Sequence, residues 1–212
     1  GLQEKTVTLD IAKRLGKLIQ QNLGITVIYT RDEDIFVPLW KRTKIANDVG
    51  GKLFISIHAN STNKNHNVRG FETFLLRPGK TNDAIEVAQR ENAVIKLEEQ
   101  SHNYEELSND KLIIFSMAQS AFMRESEYFA SAIQTELAKV LTSPNRGVKQ
   151  AGFQVLVGAS MPNVLIEVGF ISNKKEATLL GQSRYRQKIA QSIFEALVSF
   201  KYKFENPLIS DQ

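Results

Sequence analysis

The sequence contains no cysteine, which excludes disulfide bonds and every zinc site built on thiolates. Histidine is scarce too, with only His58, His66 and His102 in 212 residues. Any bound metal must therefore rest on these histidines together with carboxylates. No apolar run approaches the roughly 18 to 20 residues that cross a bilayer, and no signal peptide is visible in the residues that follow Gly1.

Positive charge is also not concentrated anywhere. Lys and Arg total 27 and Asp and Glu total 23, which gives a net charge of +4 and an isoelectric point near 9.2. This small excess favours an anionic partner only weakly. Because no basic run is interleaved with aromatic residues, we expect no nucleic-acid partner, whereas an anionic cell-wall polymer stays open.

What is present is the pattern of one α/β domain. Apolar residues at helical spacing over residues 7–19 predict a helix that ends at Gly24, and the β-branched residues 25–30 predict a strand. A helix over 39–49 and a strand over 53–58 follow. The remaining predictions are strands over 71–76, 155–157 and 164–168, and helices over 82–99, 113–141 and 185–200.

Alternation of strands and helices is typical of a doubly wound α/β layer. We therefore predict an open, mostly parallel twisted sheet with helices on both faces, formed by residues 1–212 as a single domain with a helical insertion. Ligand sites in such sheets lie outside the carboxyl ends of the strands.

His58 occupies such a position, at the end of an apolar strand in Ser56-Ile57-His58-Ala59-Asn60. A histidine there can be a metal ligand, a general base or an oriented hydrogen-bond donor. It can equally be a core histidine that bonds a backbone carbonyl. The residues alone leave both interpretations open.

Glu167 interrupts the otherwise apolar segment Val164-Leu165-Ile166-Glu167-Val168-Gly169-Phe170. An isolated carboxylate in such a strand is costly to bury, so it must be paired, metal-bound or facing a cleft. Buried carboxylates often have raised pKa values, which suits a general base. A structural salt bridge to Arg or Lys is the alternative interpretation.

Glu4 stands just ahead of the first predicted helix, where the helix dipole alone favours an acid. Its position therefore gives little reason to expect a metal ligand. The case for a functional role comes from a resemblance that extends along the whole chain.

Short motifs in this sequence resemble, in order, those of the zinc-dependent N-acetylmuramoyl-L-alanine amidases, the type-3 amidase family. The motifs are Gln3-Glu4-Lys5-Thr6-Val7-Thr8-Leu9, Tyr29-Thr30-Arg31-Asp32, Leu39 with Arg42 and Ala46-Asn47, Phe54-Ile55-Ser56-Ile57-His58-Ala59-Asn60, Gly70-Phe71-Glu72-Thr73, and Pro162-Asn163-Val164-Leu165-Ile166-Glu167-Val168-Gly169-Phe170-Ile171-Ser172-Asn173. Each is weak alone, but together they cover almost the whole chain.

The resemblance implies a Zn²⁺ cofactor held by His, Glu and His, with a further Glu acting on the attacking water. It assigns Glu4 and His58 as zinc ligands and Glu167 as the catalytic carboxylate. The implied reaction is hydrolysis of the amide between N-acetylmuramic acid and L-alanine in peptidoglycan. Cell-wall remodelling or daughter-cell separation, in the periplasm or outside the cell, would be its setting.

One ligand of that set is not in this sequence. The family's first zinc His belongs to a Gly-His-Gly-Gly type segment upstream of the Glu, and the sequence starts after that point. We therefore expect the strand that carries this His to be missing from the N-terminal edge. His66 and His102 lie in polar stretches without a matching motif and are expected at the surface.

Residues 78–112 form an acidic insertion between a predicted strand and the long helix. Its acids are Glu86, Glu91, Glu98, Glu99, Glu105 and Glu106. In amidases of cell division an insertion here resembles an autoinhibitory element, in which an acidic side chain blocks the zinc site until an activator protein displaces it. The alternative is a solvated helical decoration.

Two other functions remain open. A different zinc hydrolase on a related scaffold, such as a carboxypeptidase, would need a pocket for a terminal carboxylate. A peptidoglycan-binding module without catalysis would explain the missing His, but it has no need of the carboxylate of Glu167 in an apolar strand.

Overall fold

One open four-stranded sheet forms the centre of the computed structural model, which describes residues 1–98, 104 and 108–206. The strands are β1 (Phe54–Asn60), β2 (Phe71–Leu76), β3 (Asn145–Ala151) and β4 (Asn163–Phe170). The helices are α1 (Glu4–Leu23), α2 (Leu39–Asp48), α3 (Asn82–Asn92), α4 (Asn109–Ala118), α5 (Ser120–Val140), α6 (Lys174–Leu180) and α7 (Ser183–Glu205). Short 3₁₀ helices span Ala93–Leu97 and Gln154–Leu156.

The spatial order of the strands is β1-β4-β2-β3. β1 runs parallel to β4 and β2 runs parallel to β3, whereas β2 and β4 are antiparallel. The two central strands, β2 and β4, are buried along their whole length. Their nearly continuous apolar sequences fit this position, because a strand covered on both faces needs no polar side. The predicted mostly parallel open sheet is confirmed.

Helices cover both faces of the sheet, as predicted. Side chains alternate along a strand, so Val164 and Ile166 of β4 join the apolar cluster formed with α1, α5 and α7, and Leu165 joins the opposite cluster. The second cluster includes residues of α2, α3 and the segment around Phe153. Glu167 shares the parity of Leu165 and therefore faces the layer that contains α2 and α3.

The strand predicted over residues 25–30 is wrong. These residues have no strand neighbour and, together with residues 53–57, line a groove of about 690 Å³. A strand needs hydrogen bonds from an adjacent strand. β1 is the nearest candidate, and no ladder joins it to this segment.

Two further predictions fail for local reasons. In place of the strand predicted over 155–157, the 3₁₀ helix Gln154–Leu156 ends in a turn at residue 157, and the strand in this region is instead the polar, half-exposed β3. The helix predicted over 113–141 breaks at Gln119, whose buried side chain donates hydrogen bonds to the carbonyls of Leu156 and Ala159. Among the helices of the described ranges, none is both long enough and apolar enough to cross a membrane.

A substitution at Gly70, the residue before β2, tests this arrangement. Gly70 has a φ of 120°, and an added Cβ would lie 2.5 Å from the carbonyl oxygen of Pro144. We expect Gly70→Ala to lower the free energy of unfolding by roughly 3 kcal/mol. Gly24→Ala is the matched control, since Gly24 also has positive φ (64°) but open space around it, and should lose only about 1 kcal/mol. Urea unfolding of both variants measures the difference, and equal losses would contradict the predicted clash.

Candidate active site

Three polar residues lie side by side across three adjacent strands. In the parallel β1–β4 ladder His58 is opposite Glu167, and in the antiparallel β2–β4 ladder Glu72 is opposite Glu167. Opposite residues in a sheet project to the same face. The sheet therefore brings the predicted residues His58 and Glu167 together near the carboxyl ends of β1 and β4.

Glu4 reaches the same place from the first turn of α1. Its Oε1 atom accepts a hydrogen bond from the amide of Ala59 at 3.1 Å and lies 3.1 Å from Nδ1 of His58. Glu4 is thus the first residue of the helix and is directed at the end of β1. The predicted pair of Glu4 and His58 is in contact.

A second carboxylate, that of Glu91 in the last turn of α3, completes the cluster. Its Oε2 atom lies 3.0 Å from Nδ1 of His58, while Nε2 of His58 lies 3.1 Å from the hydroxyl oxygen of Ser56. Among the described residues, Glu4, His58 and Glu91 form a group whose ligand atoms lie within 4.8 Å of one another. The sequence named Glu91 only as one of six acids of the insertion and could not show which of them reaches His58.

The close approach of two carboxylates changes the proton affinity of His58. Burial by itself lowers the pKa of His58, but the charges of Glu91 and Glu4 outweigh it and hold that pKa well above its ordinary value. For Glu91 the signs are reversed. Burial raises the pKa of Glu91, but the adjacent charges of His58, Arg90 and Arg42 outweigh burial, so the pKa of Glu91 lies below its ordinary value. The cluster therefore concentrates negative charge around one nitrogen.

Nδ1 of His58 contacts both carboxylates without making a hydrogen bond to either. One ring N–H can point directly at only one of two acceptors. Tetrahedral zinc with bonds of about 2.0 to 2.1 Å separates its ligand atoms by roughly 3.3 Å, close to the spacings found here. The donor set and its convergence on one point therefore fit a zinc ion.

Glu167 is fully buried, with no exposed surface. Neither of its carboxylate oxygens has a hydrogen-bond partner in the described ranges, so the salt-bridge interpretation of this residue is not what the structure contains. Burial, followed by the charge of Glu91, raises the pKa of Glu167 well above its ordinary value. A carboxylate in this state is suited to accept a proton.

Glu72 is equally buried but fully partnered. Its carboxylate accepts hydrogen bonds from Asn60 at 3.1 Å and Arg146 at 3.0 Å, and Nζ of Lys149 lies 2.7 Å away. These cations offset its charge next to Glu167. The sequence offered Glu72 only as part of a motif, and a motif cannot show which cations will lie beside an acid.

The other histidines lie apart from this cluster or outside the described residues. His66 is exposed, and its Nδ1 lies 3.2 Å from the carbonyl oxygen of Ser172, as expected for a surface residue. His102 falls outside the described residues. The further His expected upstream of Gly1 stays a prediction.

A buried His–carboxylate cluster beside an unpartnered carboxylate, at the carboxyl edge of an α/β sheet, is typical of a metal-dependent hydrolase. Comparison with known proteins identifies the family. The family model described as N-acetylmuramoyl-L-alanine amidase matches residues 1–199. The chain therefore belongs to the N-acetylmuramoyl-L-alanine amidase family.

Individual relatives agree with this assignment. N-acetylmuramoyl-L-alanine amidase AmiA of Escherichia coli K12 is 34% identical over 97% of this chain and 71% of AmiA. AmiC of Escherichia coli O6:H1 is 33% identical over 93% of this chain and 47% of AmiC. The chain thus corresponds to about half of the longer relative.

Solved structures share the fold. The amidase AmiC2 of Nostoc punctiforme superposes with a TM-score of 0.68 at 26% identity, covering 95% of this chain and 86% of that one. The CwlD amidase of Clostridioides difficile, solved in complex with the GerS lipoprotein, gives a TM-score of 0.69 at 25% identity, covering 95% of this chain and 88% of that one.

The unpartnered carboxylate predicts a pH-dependent stability. The pKa of Glu167 is raised above 4.5 in the folded protein. As the pH rises above 4.5, the unfolded chain therefore loses the Glu167 proton while the folded protein still holds it, and the free energy of unfolding falls. Glu167→Gln cannot ionise. In metal-free protein, its unfolding free energy should therefore rise relative to wild type above pH 4.5, by up to about 1.4 kcal/mol per pH unit.

Urea unfolding between mildly acidic and neutral pH, with a chelator present, measures this difference. Glu33→Gln is the control, since Glu33 is exposed and should leave the stability curve parallel to that of wild type. Parallel curves for Glu167→Gln as well would mean that ionised Glu167 has a partner that offsets its burial.

Proposed function

We propose that this protein hydrolyses the amide bond between the lactyl group of N-acetylmuramic acid and L-alanine in peptidoglycan. The observation that carries the proposal is the buried, unpartnered carboxylate of Glu167 directly opposite His58 in a chain of the amidase family. The relatives named above carry the same activity in their names.

Glu4 and His58 are the residues that we propose to hold zinc, since their ligand atoms converge and their partners leave them directed at a common point. When bound, zinc supplies a Lewis acid for the amide carbonyl and lowers the pKa of water towards about 7. The amide of Ala59 orients the Glu4 carboxylate, and Ser56 bonds the other nitrogen of His58. Both partners therefore fix the direction of the proposed ligands.

Glu167 is the proposed general base. Its raised pKa brings it towards the working pH, where it accepts the proton of the attacking water and returns it to the departing alanine nitrogen. β4 is buried on both faces and holds the carboxylate fixed in the sheet. Glu72, which lies opposite Glu167, is paired with Arg146 and Lys149.

Peptidoglycan lies outside the cytoplasmic membrane, so we also propose that the protein acts in the periplasm or at the cell exterior. The mild net charge of +4 suits an anionic wall polymer. Wall remodelling or the separation of daughter cells is the proposed role.

The base assignment predicts that Glu167→Gln in the full-length protein lowers kcat by at least about 100-fold while zinc content is unchanged. Chelation should abolish wild-type activity, and added zinc should restore it. Glu33→Gln, at an exposed site, should keep full activity. Near-normal activity of Glu167→Gln would show that another group accepts the proton.

The products distinguish the remaining alternatives. Mass spectrometry of purified peptidoglycan digests should show zinc-dependent release of peptides that begin with free L-alanine. Peptides trimmed at their C-terminus would establish a carboxypeptidase instead. Absence of any product from the zinc-loaded protein, even in the variants described below, would favour a binding module.

We further propose that the insertion of residues 78–112 is autoinhibitory and that Glu91 is its blocking side chain. Glu91 lies 3.0 Å from His58, so its carboxylate occupies the space next to a proposed zinc ligand. Arg90, next in sequence, donates a hydrogen bond to Asn60 at the end of β1. This hydrogen bond attaches the end of α3 to β1 next to Glu91. Glu91 thereby adds a third carboxylate to a site that already contains Glu4 and Glu167.

An activator protein is the proposed partner that displaces this insertion. α4 exposes Ile113, Ile114 and Met117, whose exposed fractions are 47%, 62% and 67%. Exposed apolar groups that lie together mark interaction surfaces. CwlD, a family relative, was solved with a protein partner, which supports the idea that such amidases accept one.

The blocking role predicts that Glu91→Gln raises the basal rate of peptidoglycan hydrolysis by about tenfold or more, because it removes the charge that competes for the site. Glu86→Gln is the matched control, since Glu86 lies on the same helix but pairs with Lys64 at the surface. Deletion of residues 82–109 should raise the rate as well. Unchanged rates in folded variants would identify the insertion as a decoration.

A further inference from the structure

The segment that follows Glu91 is fastened to the body of the domain at a second place. After α3, the 3₁₀ helix Ala93–Leu97 leads directly to Glu98, whose carboxylate is buried. Glu98 Oε1 accepts a hydrogen bond from the amide of Leu39 at 3.3 Å. Leu39 is the first residue of α2, so an acid of the insertion bonds the N-terminal end of a helix of the body.

Tyr104 completes this contact from further along the insertion. Its hydroxyl accepts a hydrogen bond from the amide of Trp40 at 3.1 Å and donates one to Glu98 Oε2 at 2.6 Å. One carboxylate and one hydroxyl thus satisfy the first two amides of α2. Pro38, which precedes the helix, makes no side-chain cap of its own.

Both the electrostatics and the burial favour this contact. A negative charge at a helix N-terminus interacts favourably with the helix dipole. Burial, together with Arg31, lowers the pKa of Arg42, and the nearby Glu98, Tyr104 and Glu4 raise it in part. Arg42 also lowers the pKa of Glu91. This one half-buried cation therefore interacts with Glu91 and Glu98, the acids that flank the 3₁₀ helix.

Three residues of the short connection between the two contacts touch the body of the domain. Val94 and Ile95 pack against the apolar cluster on that face of the sheet. Asn92 donates a hydrogen bond to the carbonyl of Gly152 at 2.7 Å and accepts one from the amide of Gln154 at 2.9 Å. Residues 92–97 thus join the two contacts through a short segment that is itself attached to the body of the domain.

We propose that Glu98 and Tyr104 form a latch on the N-terminus of α2 that keeps Glu91 against His58, so that the site opens only when this latch breaks. The effect of the latch on activity rests on the proposed function, because it presupposes that the site hydrolyses peptidoglycan and that Glu91 blocks it. Its effect on the insertion itself does not depend on any activity.

The test uses Tyr104→Phe and Glu98→Gln in the full-length protein, because both changes preserve side-chain shape and remove or weaken the bonds to α2. Hydrogen exchange followed by mass spectrometry reports on the amides of α3, and those of α7 serve as an internal reference for global unfolding. Lys96→Gln is the matched control, since Lys96 is an exposed residue of the same connection. We expect exchange in α3 to accelerate by about tenfold in both latch variants and to stay unchanged in the control.

Peptidoglycan hydrolysis gives the second readout. Each latch variant should raise the basal rate, and Tyr104→Phe should add little in a Glu91→Gln background because both changes act on the same block. Unchanged α3 exchange in both latch variants overturns the latch, whatever their activity. Faster exchange without hydrolysis in any variant, Glu91→Gln included, supports the latch and refutes the proposed amidase activity.

Discussion

The register of β4 between its two neighbours is the constraint on which the site depends. It sets Glu167 opposite His58 on one side and opposite Glu72 on the other, on the face that α3 covers. A slip of one residue would turn Glu167 into the cluster formed with α1, α5 and α7. Because β4 is apolar on both faces, its burial stabilises this register. That stabilisation offsets the free-energy cost of burying the carboxylate of Glu167.

The four carboxylates of the site have different surroundings and so different chemical properties. Glu4 is oriented by a backbone amide, Glu72 is neutralised by two cations, and Glu167 has no partner. Glu91 reaches the same histidine from a helix outside the sheet. A site that gathers so much negative charge around one nitrogen is suited to a cation, and the same concentration of charge allows an acid of the insertion to compete for access.

Periodicity was sufficient where an element's own side chains decide its structure. The helix that ends at Gly24, the strand β2 and the buried β4 all follow from apolar spacing and a stop signal. Periodicity failed to predict the structure of a segment where contacts with another part of the chain determine that structure. Residues 25–30 have strand-forming side chains but no adjacent strand, and the helix break at Gln119 depends on carbonyls 37 and 40 residues away.

By itself, the sequence determined the fold class and the family and named Glu4, His58 and Glu167 as candidate site residues, because apolar patterning and short motifs are local properties of the chain. The tertiary structure decided which of the acids of the insertion reaches His58, which cations neutralise Glu72, and that Glu98 and Tyr104 bond the start of α2. These outcomes depend on distances between segments far apart in the chain. No local pattern of residue types encodes such distances, since they follow from how the layers pack.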